Sequence, residues 1–542
     1  MVHKNLGQKL LFTLLILFFI AFLILPIVVL ISRAFIFEQN ISLQHIQTIL
    51  SDSEIIQAMF NSIKVSLLAA IITTILAFTI AYTIHITMVN KWVKSFCNTL
   101  ILIPMLIPTI TYGFVLIYTF GNEGILARVF GEAPFTIYGR NGLLMGYVIY
   151  TLPIVFVVIS NAFNYIDKRF CYISELMGDK PFRTFYHTIA RPMFVPVMGA
   201  FVLSFILSFT DFGIPASLSA DYPVIALSLY QAMLGSLPKF GEGAAIAIIM
   251  LIPALLGFIL LTVIERFNVE HSSQKYVELK KRKFHDYAFG SVSICIVTFI
   301  ALLFLVMFII PFTKGYPYDL TFTFSHLVQL FKDDILIRTY LQSLFVAFGT
   351  AIFGVLISFT SALVSVRTNV KGRQSLNLLS IVTNTVPGMV LGLSYLLLFN
   401  NSSLKGTLLI IILSNIVHYF TTPYLMAKGA LEKLDMSWDV TSTLLEDTWL
   451  QTIFRIILPN MKSTIINIFQ YYFVNAMVTI SGVIFLITSS TMLVSTQINV
   501  LQHFNAFNDI FLLSIFIFVT NLVIKMICTF SLEYLKRKEV SE

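Results

Sequence analysis

Charge is the scarcest commodity in this chain. Only 11% of its 542 residues are Asp, Glu, Lys or Arg, against about a quarter in soluble domains. Apolar residues make up 57%, and the mean hydropathy is +0.88. A water-facing surface cannot be built from that supply, so soluble folds are excluded. Cysteine is nearly absent, with Cys97, Cys171, Cys295 and Cys528 falling in or beside helix ends expected to face the cytoplasm, where disulfides are disfavoured. Two kinds of chemical machinery are missing as well. No GxxxxGK[ST] phosphate-binding loop occurs, so the chain does not hydrolyse ATP by that device. The apolar stretches hold no His, Asp, Glu or Cys cluster at metal or nucleophile spacing, which leaves a membrane-embedded enzyme without equipment. No cofactor is implied.

Long apolar runs are what the chain has in excess, and each can cross a hydrocarbon core of roughly 30 Å as a helix. They lie near 10–33, 62–86, 98–119, 142–163, 193–214 and 243–264, then near 289–312, 342–366, 376–399, 407–427, 460–487 and 508–530. The expected class is an all-α polytopic membrane protein of about twelve transmembrane helices. Placed on alternating sides, 26 of the 35 Lys and Arg fall on the side of both termini. That is the positive-inside pattern, so the net charge of +8 reflects topology rather than nucleic acid binding, and both termini are expected in the cytoplasm. The first apolar run is too long for a signal-peptide core and lacks a small-x-small cleavage site, so it reads as a span.

The second half echoes the first at an offset near 280 residues. The stretch from Asn61 matches the stretch from Gln342, with Ser62 over Ser343 and Phe78-Thr79 over Phe359-Thr360. Pro108 lies over Pro387 and Gly113 over Gly392. A polar pair follows, in which Asp179 faces Asp447, Thr184 faces Thr452 and Pro192 faces Pro459 if the first copy carries one extra residue. The division expected is a six-helix repeat over 1–264, a basic cytoplasmic linker over 265–288 and a second repeat over 289–542. A pathway between parallel repeats follows.

Residues 165–192 and 428–459 are too long and polar for simple turns, and their apolar patterning breaks near Gly178 and Glu446. Each reads as a short helix pair, either gripped by a partner protein or lying on lipid. The pattern resembles the cytoplasmic loop of binding-protein-dependent permeases of ABC importers, which runs EAA, three residues, Gly, nine residues, Ile, one residue, Leu-Pro. Ile456, Leu458 and Pro459 match its end, Thr441 and Ser442 stand at the alanines, and Glu446 replaces the Gly. In the first copy Ser174 and Glu175 precede Gly178, and Pro192 ends the pattern. The resemblance implies the type I ABC importer permease fold as two tandem six-helix repeats in the plasma membrane. It also implies two copies of a cytosolic ATPase docking on these loops and an extracytoplasmic solute-binding protein. The coupling residues it assigns are Ser174, Glu175, Gly178, Asp179, Thr184, Pro192, Thr441, Ser442, Glu446, Asp447, Trp449, Thr452, Ile456, Leu458 and Pro459. Trp438 and Trp449 read as docking anchors or as membrane-interface residues. Segments such as FTDFGIPASL from Phe209 and YYFVNAMVTISGVIFL from Tyr471 resemble 2-aminoethylphosphonate permeases first and iron(III) permeases next.

Charges inside a span are expensive, and the spans hold few, Asp211 and His418 coming closest. An ion-coupled secondary carrier, the reading from another class, would need more. Polar residues that could offer a transient solute path are Ser204, Ser208, Thr210 and Asp211 in the fifth span, and Gln470, Tyr472, Asn475 and Thr479 in its partner. Helix-to-helix hydrogen bonding is the competing role for each. Asp211 would repel an anionic phosphonate and suits a cation.

Overall fold

The structure, a computed structural model, describes residues 2–38, 40–235, 237–265, 283–316, 318–435 and 437–541. Most of the linker expected over 265–288 therefore lies outside the described residues. An apolar solvent offers backbone groups no partners, so each crossing must satisfy its own N–H and C=O groups as a helix. The strands among the described residues form two antiparallel hairpins, Ile36–Phe37 with Asn40–Ile41 and Thr313–Gly315 with Asp319–Phe322. Each hairpin follows the first span of its half.

Among the described residues eight helices are long and apolar enough to cross a bilayer, and three bent helix pairs raise the number to as many as eleven. The first half contributes Gly7–Phe35, Ser53–His85, a bent third span, Arg140–Phe163, Pro181–Thr210 and Phe240–Ile264. The second contributes Lys283–Phe312, Asp334–Arg367, two bent spans and Phe507–Lys538. The remaining expected span, 460–487, is helical over Lys462–Val478, 17 residues that include Asn467, Gln470 and Asn475. This helix packs against the second, fourth and sixth spans of its own half, which leaves these three polar side chains half-buried.

The third spans differ from the straight helices expected at 98–119 and 376–399. Lys91–Leu106 and Thr109–Phe130 meet at 108°, and Ser375–Thr385 and Gly388–Phe399 at 103°. Proline causes both breaks. Pro108 and Pro387 lack the N–H that would continue a helix, and the residues before them, Ile107 and Val386, are pushed into extended backbone with ψ of 139° and 116°. The fourth span of the second half breaks by 55° between His418 and Thr421, whereas Arg140–Phe163 runs unbroken through Pro153.

Matching side chains build the repeat. Asp52 caps the second span of the first half by accepting from Glu54 N and Ile55 N, and Asp333 caps its counterpart by accepting from Ile335 N and Leu336 N. Ser62 Oγ accepts from Ile225 N at 2.9 Å, and the aligned Ser343 Oγ accepts from Val494 N at 2.8 Å. Each serine thereby ties a second span to the start of a short helix that follows the fifth, Ile225–Leu234 or Val494–His503. The two halves also interlock. Leu25–Phe35 packs on Gly388–Phe399 of the other half, while Lys283–Ile309 packs on Ser53–His85, Lys91–Leu100 and Thr109–Phe120. Tyr395 Oη donates to Phe22 O at 2.6 Å, and Thr83 and Ser293 hydroxyls meet at 2.7 Å, so the exchange of first spans is fastened by polar bonds within apolar surroundings.

Candidate functional site

Two surface modules lie at the entry to the fifth span of each half. The first comprises Lys168–Leu176, a turn at Gly178 and Pro181–Phe185, and the second Ser437–Leu444, a turn at Glu446 and Trp449–Thr452. Both are closed by the same clasp. Ser174 Oγ donates to Asp179 Oδ2 at 2.8 Å and meets Thr184 Oγ1 at 3.0 Å. Ser442 Oγ donates to Asp447 Oδ2 at 3.3 Å and meets Thr452 Oγ1 at 2.7 Å. Each aspartate also pairs with an arginine on the outer face, Arg183 at 3.3 Å and Arg455 at 3.2 Å. The serine and threonine are buried in both copies, so the clasp is shielded from competing water. At the entry to the second module, Asp435 accepts from Ser437 N at 2.8 Å, a bond that holds its carboxyl below the ordinary aspartate range.

Glycine allows the first turn, where φ is +80° at Gly178. Glu446 adopts the same left-handed backbone, with φ of +63°, so the missing glycine leaves the turn in place at a cost of about 1 kcal/mol. Glu446→Gly is accordingly expected to slow amide exchange across 442–452 several-fold, whereas Asp447→Ala, which removes the clasp's acceptor, should speed it about ten-fold. Equal exchange in the two variants would refute the clasp as the element that holds the turn.

A π-helical segment follows each clasp, Tyr186–Ala190 and Ile453–Ile457, and ends two residues before Pro192 and two before Pro459, each in the first turn of the next helix. The extra residue of the first copy is taken up before that segment, by a helix of five residues where its counterpart has four. Glu175, Ile456 and Leu458 are half-buried, and Thr441 and Pro459 are exposed.

The sequence reading missed the feature that most distinguishes these modules. Leu176, Met177, Phe182 and Tyr186 are 51 to 78% exposed, and Leu444, Leu445, Leu450 and Phe454, each 268 positions later, are 59 to 77% exposed. Two equal apolar ridges therefore face outward. Trp449 packs into the core cluster, and Trp438 is 38% exposed. The signal available in sequence was the aligned pair of apolar doublets, Leu176-Met177 and Leu444-Leu445, two residues after each clasp serine.

The polar residues expected along a path divide into two groups. Ser204 donates to Thr151, which meets Thr73 at 3.0 Å, and in the second half Tyr472 bonds Ser358 at 2.7 Å and Ile416 O at 3.5 Å. Both hydroxyls thus join the second, fourth and fifth spans within one half. Ser208 is buried without a hydrogen-bond partner, and Thr210 Oγ1 donates to Ile206 O. Asp211 is buried, accepts from Ile214 N at 2.9 Å and lies beside Gly213 N and the Thr109 hydroxyl, so it caps Gly213–Leu218. Gln470 is half-buried, Asn475 Nδ2 donates to Tyr471 O, and Thr479 O accepts from Ser495 Oγ. The ends of the two fifth spans meet across the halves, with Phe212 N donating to Ser481 Oγ at 3.4 Å. Among the described residues no group of three or more His, Cys, Asp or Glu could hold a metal, and all four cysteines are free.

Comparison with known proteins matches this architecture. The description of one family, the binding-protein-dependent transport system inner membrane component, fits residues 80–269 and again 354–539. A protein of Haemophilus influenzae named for ferric transport as a permease is 27% identical over 507 residues, 90% of this chain and 79% of its own length. The ferric transport system permease protein of Actinobacillus pleuropneumoniae is 27% identical over 514 residues, 91% of this chain and 73% of its own length. The molybdenum transport system permease protein of Azotobacter vinelandii matches 139 residues at 27% identity, 24% of this chain and 59% of its own length. With its family's region present twice over more than half of its length, this chain belongs to the binding-protein-dependent transport system inner membrane components.

Proposed function

We propose that this chain is the membrane-spanning permease of an ATP-driven iron(III) importer, with both termini and both surface modules in the cytoplasm. The observation that carries the reading is the pair of equal modules, each clasped by Ser, Asp and Thr and each presenting an apolar ridge. Two like subunits of a cytosolic ATPase would seat on them, which supplies the energy that a chain without a phosphate-binding loop cannot generate. Closing of the ATPase pair would pull the modules together, and each clasp would pass that motion into the fifth span that follows its proline. The halves then tilt about the junction where Phe212 meets Ser481 and open the path to one side at a time. An extracytoplasmic binding protein would deliver solute on the hairpin side.

Iron is preferred to 2-aminoethylphosphonate because the relatives that span nine tenths of the chain are named for ferric transport, and because a buried carboxylate, Asp211, stands at the junction. Vesicles holding the chain, its ATPase and its receptor provide the test. They are expected to accumulate ferric iron when ATP is supplied and not when a proton gradient alone is imposed. Uptake of 2-aminoethylphosphonate instead of iron would overturn the substrate, and uptake on the gradient alone would overturn the mechanism.

A further inference from the structure

Tyrosines gather where the two halves meet, and the mechanism above makes no use of them. Tyr419 stands in the break of the fourth span of the second half, between His418 and Thr421. Its ring lies 6.3 Å from that of Tyr471 on the fifth span, and its hydroxyl pairs with Thr479, two residues before the Ser481 that accepts from Phe212 N. Across the junction, Tyr150 on the fourth span of the first half lies 6.3 Å from Tyr112, ring to ring, and within electrostatic range of Asp211, Tyr419 and Tyr471. Tyr150, Tyr419 and Tyr471 are half-buried although they lie within spans. Two polar groups beside the break lack partners altogether. Asn415 Nδ2 and His418 Nδ1 make no hydrogen bond, and the Asn415 side chain is 1% exposed. Leaving a buried polar group without a partner is costly, and a polar occupant beside it would recover that cost.

On the iron reading above, we propose that Tyr150, Tyr419 and Tyr471 form a transit site in which ferric iron is held by phenol oxygens, with the Asp211 carboxylate supplying a field that draws the trication in. The chemistry favours this set. Ferric iron is a small, hard trication that prefers anionic oxygen, and tyrosinate is an established iron ligand. Asp211 is already occupied by backbone donors, so it contributes field in place of a bond. A neutral phenol carries no charge penalty when the site is empty, which suits a pathway inside a membrane. On arrival of iron each phenol exchanges its proton for the metal, three O–H bonds giving three Fe–O bonds and three protons released to water. When the halves tilt, Tyr150 moves with one and Tyr419 and Tyr471 with the other, so the set comes apart; each Fe–O bond breaks as its phenolate takes a proton back from water, and the ion leaves.

The purified full-length chain in detergent, titrated with ferric citrate, is expected to develop the visible charge-transfer band of iron–tyrosinate. Tyr150→Phe, Tyr419→Phe and Tyr471→Phe keep the rings and remove the oxygens; each should weaken iron binding about ten-fold or more, and the triple variant should lose the band. Tyr112→Phe, whose hydroxyl donates to Pro104 O, should keep it. ATP-driven iron uptake in vesicles, measured in parallel, separates the two readings. Normal iron uptake by the triple variant, or a wild-type titration without the band, would overturn the transit site and leave the iron importer standing. Failure of the wild-type assembly to import iron would bring down both.

Discussion

Placing aspartate on both ridges, Leu176→Asp with Leu444→Asp, is expected to reduce ATP-driven uptake more than about 100-fold while leaving the chain in the membrane at normal amounts. The two leucines are 70% and 77% exposed, so the bundle does not depend on them. Covering an apolar side chain of this size gains about 1.5–3 kcal/mol, and burying an unpaired carboxylate in its place costs at least as much again. Docking that relies on four such residues per module should not survive that reversal. Either substitution alone should leave one module competent and reduce uptake less. Trp449→Ala belongs to another class, because that ring packs into the core cluster, and it should lower stability before it affects docking. The measurement is recovery of the ATPase with the purified permease, alongside uptake. An ATPase that still co-purifies with the double variant would show that the ridges face lipid.

The sequence made the repeat legible because polar and conformationally special residues recur in it at matching places. Pro108 over Pro387 marked two breaks of nearly equal angle, and Ser62 over Ser343 marked two identical anchoring bonds. Asp179 over Asp447 and Thr184 over Thr452 marked the clasp. What could not be read was direction. Hydropathy counts apolar residues without regard to the path of the helix axis, so the bends of 108°, 103° and 55° were invisible, although the prolines that cause two of them were in view. Glu446 shows a similar limit, since composition ranks glycine first at a left-handed turn but does not forbid another residue that the surrounding clasp can hold there. Ser204 and Tyr472 show a further limit. Both are polar residues in apolar helices, and sequence alone does not tell a hydroxyl that lines a path from one that bonds a neighbouring helix.

The exchange of first spans and the bent third spans meet at one backbone contact, and a matched pair of substitutions tests it. A methyl group on Gly392 would stand 2.6 Å from Gly482 O and 3.3 Å from its carbonyl carbon, and neither atom can move without shifting the stretch that follows the fifth span. One on Gly482 would meet nothing nearer than 3.8 Å. Gly392→Ala is therefore expected to cost about 3 kcal/mol or more, seen as a lower thermal midpoint in detergent and less chain in the membrane, while Gly482→Ala stays close to wild type. The asymmetry matters because both glycines lie in the same contact, so a general preference for small residues between helices would penalise the two alike. Gly113, aligned with Gly392, should behave as Gly392 does, since its added carbon would stand 2.7 Å from Ser217 Cβ. If Gly392→Ala and Gly482→Ala unfold at the same temperature, the third span does not press on the junction as closely as this packing requires, and the path by which a tilt of one half reaches the other must run elsewhere.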